Sequence, residues 1–545
     1  MKTNHDRSRR RGRPLRVLAA LALASALGAC GAGGTDSPAG TSAVAIQTKQ
    51  GAVDGVTRDG VTSWLGIPYA QPPVGPLRWR PPQALAPRGG ELEAKAYGKA
   101  CPQPTANNDI AADQMAEDCL YLNVQAPAAA RPASRLPVLV YIHGGAFTIG
   151  SGAQVDGSTI AAQQNLVFVS FNYRLGALGY LADTALKAST GDPNLGNFAV
   201  LDQQAALRWV RENIAAFGGD PANVTVWGLS AGATSTFTLL AAPQSKGLFD
   251  KAVLESGGGG PYSNLAPATA TAQADILVSA VGCSGAADVV ACLRGKSSDQ
   301  LVAAQANGKW RPTVDGAVLD QVPSLAFAAG NFNRVPVMIG GVYDEGTLFV
   351  PPALTADTYL PALASLAPPG YDMSAIDAAY PLANYAVPAQ GFARAMGDAL
   401  YACGNSARRT ELSAWVPVFG WEFTDPSLSF PTNPTTFYLG TQHGLDSAYW
   451  FGPSDFGTVS GNPAMQALGR TMKTYLGNFA RSGDPNGGPA AARDPSLPNW
   501  PRFASAAERA TLELTTPAIT ASNSVFEHTH HCDTLWGPGV FPPLY

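Results

Sequence analysis

Residues 224–232 constrain the fold most strongly, because an apolar run ends there at a glycine, presents one serine and continues as alanine-rich sequence. A G-x-S-x-G turn between a strand and a helix holds its serine in a strained backbone conformation. Gly228 and Gly232 lack the Cβ atoms that would clash in so tight a turn. The pattern predicts a nucleophile elbow at Ser230, with a helix that begins at Ala231 and points its first amides at a developing negative charge.

Other apolar runs alternate with helix-type sequence on both sides of this elbow. Strands are predicted at 136–142, 166–172, 252–255, 335–339 and 416–423, and a helix is predicted from about residue 196. Strand, helix and strand in short succession are typical of a mostly parallel central sheet with helices on both faces. Two longer stretches, 269–306 and 352–413, are predicted to be helical insertions over the carboxyl ends of the strands.

Composition indicates a large globular protein. The chain has 545 residues, of which 46% are hydrophobic and 14% are charged. Its length is compatible with several domains, but no internal boundary is visible, and we predict one α/β catalytic domain over 46–545. The net charge of −4 leaves no basic face that could bind nucleic acid.

The first thirty residues have the pattern of a bacterial export signal. An arginine-rich stretch at 7–16 is followed by an apolar run at 17–26 and by Leu-Gly-Ala-Cys, which ends at Cys30. A basic region, a short apolar region and small residues predict a signal peptide over 1–29. The last four residues resemble a lipobox, so we expect Cys30 to be lipidated and the protein to be held on the membrane of the cell envelope. Plain secretion is the alternative, and 30–45 has the composition of a flexible tether.

Six cysteines follow Cys30, and an even number in an exported chain predicts disulfides. Six cysteines allow fifteen pairings, and spacing alone does not choose among them. Proximity along the chain favours Cys101 with Cys119 and Cys283 with Cys292, which leaves Cys403 with Cys532.

A glycine-rich loop follows the predicted strand at 136–142. It reads His143-Gly144-Gly145, and paired glycines after a central strand let backbone amides approach a ligand closely. In lipases and esterases a loop of this type completes an oxyanion hole, whereas the alternative is an ordinary tight turn. We expect Gly144, Gly145 and Ala231 to supply the amides.

The chain resembles the type-B carboxylesterases, a family of α/β-hydrolase fold that includes the cholinesterases and the bacterial para-nitrobenzyl esterases. The resemblance runs from about residue 51 to the C-terminus and is carried, in order, by GIPYA, EDCLYLNV, HGGAF, NYR, GNFAVLDQQAALRWVRENIAAFGGDP and GDPN…NWP. It implies the α/β-hydrolase fold and the same three cysteine pairs that proximity favours.

A serine nucleophile needs a base, and the base needs a carboxylate that orients it. The resemblance assigns the base to His443, one of only six histidines. Chain order in α/β-hydrolases is serine, acid, histidine, so the acid lies between residues 230 and 443. Asp344 and Glu345 follow a predicted strand there. The resemblance selects Glu345, with Asp344 as the alternative.

These residues predict a carboxylic ester hydrolase that uses a Ser-His-Glu triad and needs neither a metal nor an organic cofactor. The alternative is an inactive binding or adhesion module on the same fold. The cluster at 527–532 contains three histidines and Cys532, but its spacing fits no common zinc motif.

Two departures from the cholinesterase pattern bear on the small-molecule ester substrate. The residue before the nucleophile is Leu229 rather than glutamate, and the loop from Cys101 to Cys119 contains no aromatic residue. Both attractions for a quaternary ammonium are therefore missing, and we expect neutral esters with short to medium chains. The segment 257–262 also lacks a bulky wall, which predicts a roomy acyl site.

Overall fold

A computed structural model of the chain describes residues 42–105, 110–258, 263–306, 308–350, 353–368, 370–428, 437, 439–452, 459, 462–488 and 493–537. The predicted signal peptide, Cys30 and most of the tether lie outside these residues. In the described part, none of the helices has both the length and the apolar character needed to cross a membrane.

The described strands are β1 (Ser42–Thr48), β2 (Gly51–Arg58), β3 (Val61–Pro68), β4 (Leu92–Glu93), β5 (Tyr121–Pro127), β6 (Leu136–Ile142), β7 (Val167–Phe171), β8 (Gly219–Leu229), β9 (Lys251–Glu255), β10 (Val337–Val342), β11 (Val418–Phe423), β12 (Ala510–Leu514) and β13 (Thr520–Asn523).

The α-helices are α1 (Ser158–Gln164), α2 (Gly176–Tyr180), α3 (Thr184–Thr190), α4 (Phe198–Asn213), α5 (Ala231–Ala241), α6 (Pro267–Ala280), α7 (Val289–Arg294), α8 (Ser298–Ala304), α9 (Pro323–Ala329), α10 (Ala356–Ala364), α11 (Met373–Ala379), α12 (Pro388–Gly397), α13 (Cys403–Ser413), α14 (Ser447–Phe451), α15 (Pro463–Ser482) and α16 (Val525–Thr529). A 3₁₀ turn at Glu345–Leu348 and a π-helical turn at Asp398–Ala402 also bear on the site.

One sheet connects all the strands, in the order β1-β2-β3-β5-β7-β6-β8-β9-β10-β11-β12-β13, with β4 beside β2. From β7 to β12 every neighbouring pair is parallel. The pairs from β1 to β7 in this order and the pair β12–β13 are antiparallel, whereas the short β4 is parallel to β2. The predicted α/β-hydrolase architecture, with a mostly parallel central sheet, is confirmed.

Both faces of the sheet are covered, as the unbroken apolar character of β6 predicts. Alternate residues of a strand point to opposite faces. Val138, Val140 and Ile142 accordingly belong to one core cluster, together with Phe237 of α5. Leu139 and Tyr141 belong to a second cluster, which includes residues of α15.

The carboxyl ends of the central strands meet at one edge of the sheet. Ile142 pairs with Gly228, and Leu229 pairs with Glu255. The sequence pattern predicted that the strand before the 3₁₀ turn stops at the glycine pair 340–341, but β10 continues through both glycines to Val342. The pair marks close approach rather than a strand end, because a Cβ at Gly341 would lie 2.3 Å from Glu345 Oε1.

Candidate active site

The turn at Ser230 has the strained backbone geometry that the sequence pattern predicts. Ser230 lies between β8 and α5 with φ 58° and ψ −120°, a backbone conformation that non-glycine residues rarely adopt. A Cβ at Gly228 would lie 2.1 Å from the carbonyl oxygen of Gly232, and a Cβ at Gly232 would lie 2.0 Å from that of Ile142. The two glycines are therefore required because the backbone packs too closely for any side chain.

His443 and Glu345 form a buried pair across 98 residues of chain. His443 Nδ1 lies 2.5 Å from Glu345 Oε2, and the Val342 amide donates to Glu345 Oε1 at 3.1 Å. Only 5% of His443 and 2% of Glu345 is exposed. Because a carboxylate can only accept, Nδ1 carries the proton. Nε2, which has no hydrogen-bond partner among the residues that the structure describes, is the acceptor that faces away from Glu345.

Asp344 holds the histidine loop and does not bind the histidine. Its Oδ2 accepts from the amide of Thr441 at 2.9 Å and from the Thr441 hydroxyl at 3.2 Å. Burial raises the pKa of Asp344, although the bonds from Thr441 oppose that shift. The two adjacent acids thus have different partners: Glu345 is bonded to His443, and Asp344 is bonded to the segment that leads to it.

The glycine loop lies directly beside Ser230. A Cβ at Gly144 would lie 3.0 Å from the Ser230 Cβ, and Gly145 has φ 104°. His143 supports the loop, because its ring stacks on Tyr173 and its Nδ1 donates to the carbonyl of Gly144 at 2.8 Å. Burial lowers the pKa of His143 to about 4, so this histidine is neutral at ordinary pH and plays a structural part.

A cavity of about 920 Å³ contains both Ser230 and His443. Its lining is largely apolar, and the aromatic side chains among the described lining residues are Tyr141, Phe147, Trp310, Phe349, Phe392 and Tyr401. The described lining residues include no carboxylate. The cavity therefore offers space and apolar surface, rather than negative charge, to a molecule that reaches the serine.

Glu255 was not identified from the sequence as part of this region. Its carboxylate is fully buried at the end of β9, where it accepts from Trp227 Nε1 at 2.7 Å and from Ser447 Oγ at 3.3 Å. Burial, aided by the carboxylate of Asp446, raises the pKa of Glu255 well above its ordinary value, and burial raises that of Asp446 to about 6. The sequence feature that could have identified Glu255 is an acidic residue at the end of an otherwise apolar strand.

The structure contains the three expected disulfides, Cys101–Cys119, Cys283–Cys292 and Cys403–Cys532. Three disulfides in one chain are typical of exported proteins. In the terminal histidine cluster, His530 is bonded to Asp398 through Nδ1 and to Glu422 through Nε2, each at 2.5 Å. Both ring nitrogens of this buried histidine are therefore occupied by protein carboxylates.

The chain is similar in sequence and in structure to known esterases. A sequence model described as the carboxylesterase family matches residues 42–365 and 373–533. A para-nitrobenzyl esterase of Bacillus subtilis (strain 168) is 42% identical over 320 residues, which are 56% of this chain and 64% of that protein. A cocaine esterase of Homo sapiens is 34% identical over 479 residues, 82% of each chain.

A fumonisin B1 esterase of Sphingopyxis macrogoltabida is 35% identical over 474 residues, 84% of each chain. The match thus spans just under two thirds of the Bacillus relative and more than four fifths of the other two. Among solved structures, one titled PNB esterase superposes with a TM-score of 0.74 at 33% identity and covers 89% of this chain and 99% of its own.

Proposed function

Because this chain belongs to the carboxylesterase family and is a carboxylic ester hydrolase, we propose that it works through an acyl-enzyme formed on Ser230. His443 is the general base and Glu345 orients it. The observation that carries this proposal is the bond between His443 Nδ1 and Glu345 at 2.5 Å in a histidine that lines the same cavity as Ser230. Its Nε2 has no partner within the described part of the chain.

The first half of the reaction forms the acyl-enzyme. Nε2 of His443 takes the proton of the Ser230 hydroxyl as the oxygen attacks the ester carbonyl carbon. Glu345 stabilises the resulting imidazolium through Nδ1. When the tetrahedral intermediate collapses, the carbon–oxygen bond to the alcohol breaks, and His443 returns the proton to the departing alkoxide.

The negative oxygen of the intermediate needs donors that are already in place. The amide of Ala231 is the first of α5, and the first amides of a helix have no partner within the helix. The amides of Gly144 and Gly145 come from the glycine loop, where a Cβ at Gly144 would lie 3.0 Å from the Ser230 Cβ. Preorganised amides of this kind commonly contribute a factor of about 10² to 10³ each.

The second half of the reaction repeats these steps with water. His443 removes a proton from water, the hydroxide attacks the acyl carbon, and the bond to Ser230 Oγ breaks as the serine regains its proton. Protein side chains and amides carry every proton and charge in this scheme, which therefore uses no cofactor or metal.

We propose neutral esters of short to medium chain length as substrates. A bound quaternary ammonium loses its hydration and needs an aromatic face and negative charge in return. Aromatic side chains line the cavity, but Leu229 is the residue before Ser230 and the described lining residues include no carboxylate, so the negative charge is missing. Para-nitrophenyl acetate and butyrate should exceed a matched choline ester in kcat/KM by at least about tenfold.

A fluorophosphonate probe tests the proposal directly. The wild type should be labelled at Ser230 and should hydrolyse the para-nitrophenyl esters. Ser230→Ala should be folded and unlabelled, with turnover lower by about a million-fold. An unlabelled wild type that cleaves no ester would instead favour a binding or adhesion module, and a preference for the choline ester would overturn the substrate class.

We also propose that lipidation of Cys30 holds the protein on the membrane. The support is the lipobox-like sequence, and several acyl chains together anchor a protein firmly. In a host that processes lipoproteins, the wild type should fractionate with membranes and Cys30→Ser should not. Equal solubility of the two would favour plain secretion.

A further inference from the structure

Helix α12 packs directly on the acid turn, the 3₁₀ turn Glu345–Leu348 that carries Glu345. A Cβ at Gly346 would lie 1.9 Å from the carbonyl oxygen of Ala393, which belongs to α12. A Cβ at Gly397, the last residue of the helix, would lie 3.1 Å from the Gly346 amide nitrogen and 3.5 Å from the Glu345 Cβ. No side chain fits between the two backbones at Gly346, so the position of α12 determines the position of the acid turn.

Arg394, the residue after Ala393, contacts the chain on the other side of Glu345. Its Nη1 donates to the carbonyl oxygen of Tyr343 at 3.3 Å, and its Cζ lies 3.9 Å from the centroid of the Tyr343 ring. A guanidinium in this place over an aromatic face is held by a cation–π interaction. Two consecutive residues of α12 therefore contact the positions before and after Glu345, at Tyr343 and Gly346.

Arg394 is itself anchored to two other parts of the chain. Its Nε donates to Asp398 Oδ2 at 3.2 Å, and its Nη2 donates to the carbonyl oxygen of Thr529 at 3.2 Å. Asp398 is fully buried and also accepts from the Tyr380 hydroxyl at 2.8 Å and from His530 Nδ1 at 2.5 Å. Because a guanidinium is planar and presents its donors in fixed directions, it can bridge several acceptors at once. Arg394 thus connects the residue before the acid to the π-helical turn and to the C-terminal segment.

Glu345 depends on this support. Its carboxylate has two hydrogen-bond partners among the described residues, the Val342 amide at 3.1 Å and His443 Nδ1 at 2.5 Å. Val342 is only three residues away, whereas the bond to His443 joins segments that are 98 residues apart. The length of that bond therefore depends on the position of the whole turn. A misplacement of about 1 Å that begins far from the chemistry can cost about 10² in rate.

We infer that Arg394 is a positioning residue for the reaction, because it fixes the chain beside the acid turn so that Glu345 stays bonded to His443. This inference rests on the proposed ester hydrolysis and adds a residue that acts through its acid. The described lining residues of the cavity include Phe392 and Met396 of the same helix, but not Arg394. Both halves of the reaction use His443, so the loss of positioning should slow both, lower kcat and leave KM unchanged.

The test measures kcat and KM for para-nitrophenyl acetate in Arg394→Met, Arg394→Lys and the wild type, with circular dichroism as the folding control. Arg394→Met should lower kcat by about 10- to 100-fold, with KM within about twofold of the wild type. Arg394→Lys keeps a cation beside Asp398, but one ammonium group cannot also bond the Tyr343 carbonyl, and kcat should fall by at least about threefold. If Arg394→Met does not fold, Arg394→Lys decides by the same criteria.

Arg409→Lys is the matched control. It removes the guanidinium of another buried arginine, in α13, which donates to the carbonyl oxygens of Ile339 at 3.2 Å and Trp421 at 3.1 Å in the sheet. The kcat of this variant should stay within about twofold of the wild type, because its bonds lie before the acid turn and not on it. An equal loss of kcat in Arg409→Lys and Arg394→Lys would mean that any lost guanidinium slows the enzyme, which overturns the inference.

A double-mutant cycle with Glu345→Gln separates positioning from general support of the fold. If Arg394 acts through Glu345, each folded Arg394 variant should change kcat by less than about twofold in the Glu345→Gln background. The same loss factor in both backgrounds overturns the inference while ester hydrolysis stands, and so does wild-type kcat in every folded Arg394 variant. A wild type that does not hydrolyse para-nitrophenyl acetate contradicts the proposed function itself.

Discussion

Replacement of Glu345 by glutamine should nearly abolish turnover, and the reason lies in the two bonds of its carboxylate. Oε1 accepts from the Val342 amide at 3.1 Å, and Oε2 accepts from His443 Nδ1 at 2.5 Å. A glutamine has one acceptor oxygen and one donor group. If the oxygen stays at Val342, the amide group faces Nδ1 and favours the tautomer with its proton on Nε2, where the base must accept.

If the glutamine turns the other way, its amide group faces the Val342 amide, and two buried donors oppose each other. Either orientation harms the site, and the wrong tautomer alone costs about 10⁴ in kcat in a serine protease triad. We therefore expect Glu345→Gln to lose about 10⁴ in kcat while it remains folded. Kinetics on para-nitrophenyl acetate, with circular dichroism as the folding control, measure this loss.

Asp344→Asn is the matched control, because it makes the same chemical change one residue away. The asparagine carbonyl can still accept from Thr441, so only the negative charge of the acceptor is lost from these buried hydrogen bonds. This change should lower the free energy of unfolding by an amount on the order of 1 to 3 kcal/mol. Turnover should fall by less than about tenfold, which corresponds to 1.4 kcal/mol. A larger loss in Asp344→Asn than in Glu345→Gln would refute the reasoning and make Asp344 the acid.

Two further predictions concern the glycine loop and the buried histidine network. Gly145→Ala should reduce kcat by about 10² to 10³, because its Cβ would lie 2.2 Å from the Ile149 carbonyl oxygen and the loop amides must move; wild-type kcat would contradict this. Burial lowers the pKa of His530, but Glu422 and Asp398 together raise it to about 9. The folding stability that the protonated histidine contributes is therefore complete below about pH 6.5 and is lost as the pH rises through about 9. The wild-type Tm should fall from pH 8 to 10, whereas His530→Gln should start lower and change less; parallel curves would exclude this network as the cause.

The sequence by itself determined the local elements of the site. An unbroken apolar run predicted β6 with both bounds correct, because a strand covered on both faces has no polar positions. The spacing of Gly228, Ser230 and Gly232 predicted the elbow, since close backbone packing there excludes other residues. These features depend on interactions within a few residues, and a linear pattern records such interactions directly.

Tertiary structure alone decided which distant side chains meet. Asp344 and Glu345 are adjacent, yet only Glu345 is bonded to His443, because the direction of each side chain depends on how the 3₁₀ turn leaves β10. Tyr401 reaches Gly258 through a π-helical turn that periodicity does not reveal. Sequence spacing determines the period of a strand or helix, whereas the paths of the loops between elements determine the contacts across a cavity, and those paths are set by the packing of the whole domain.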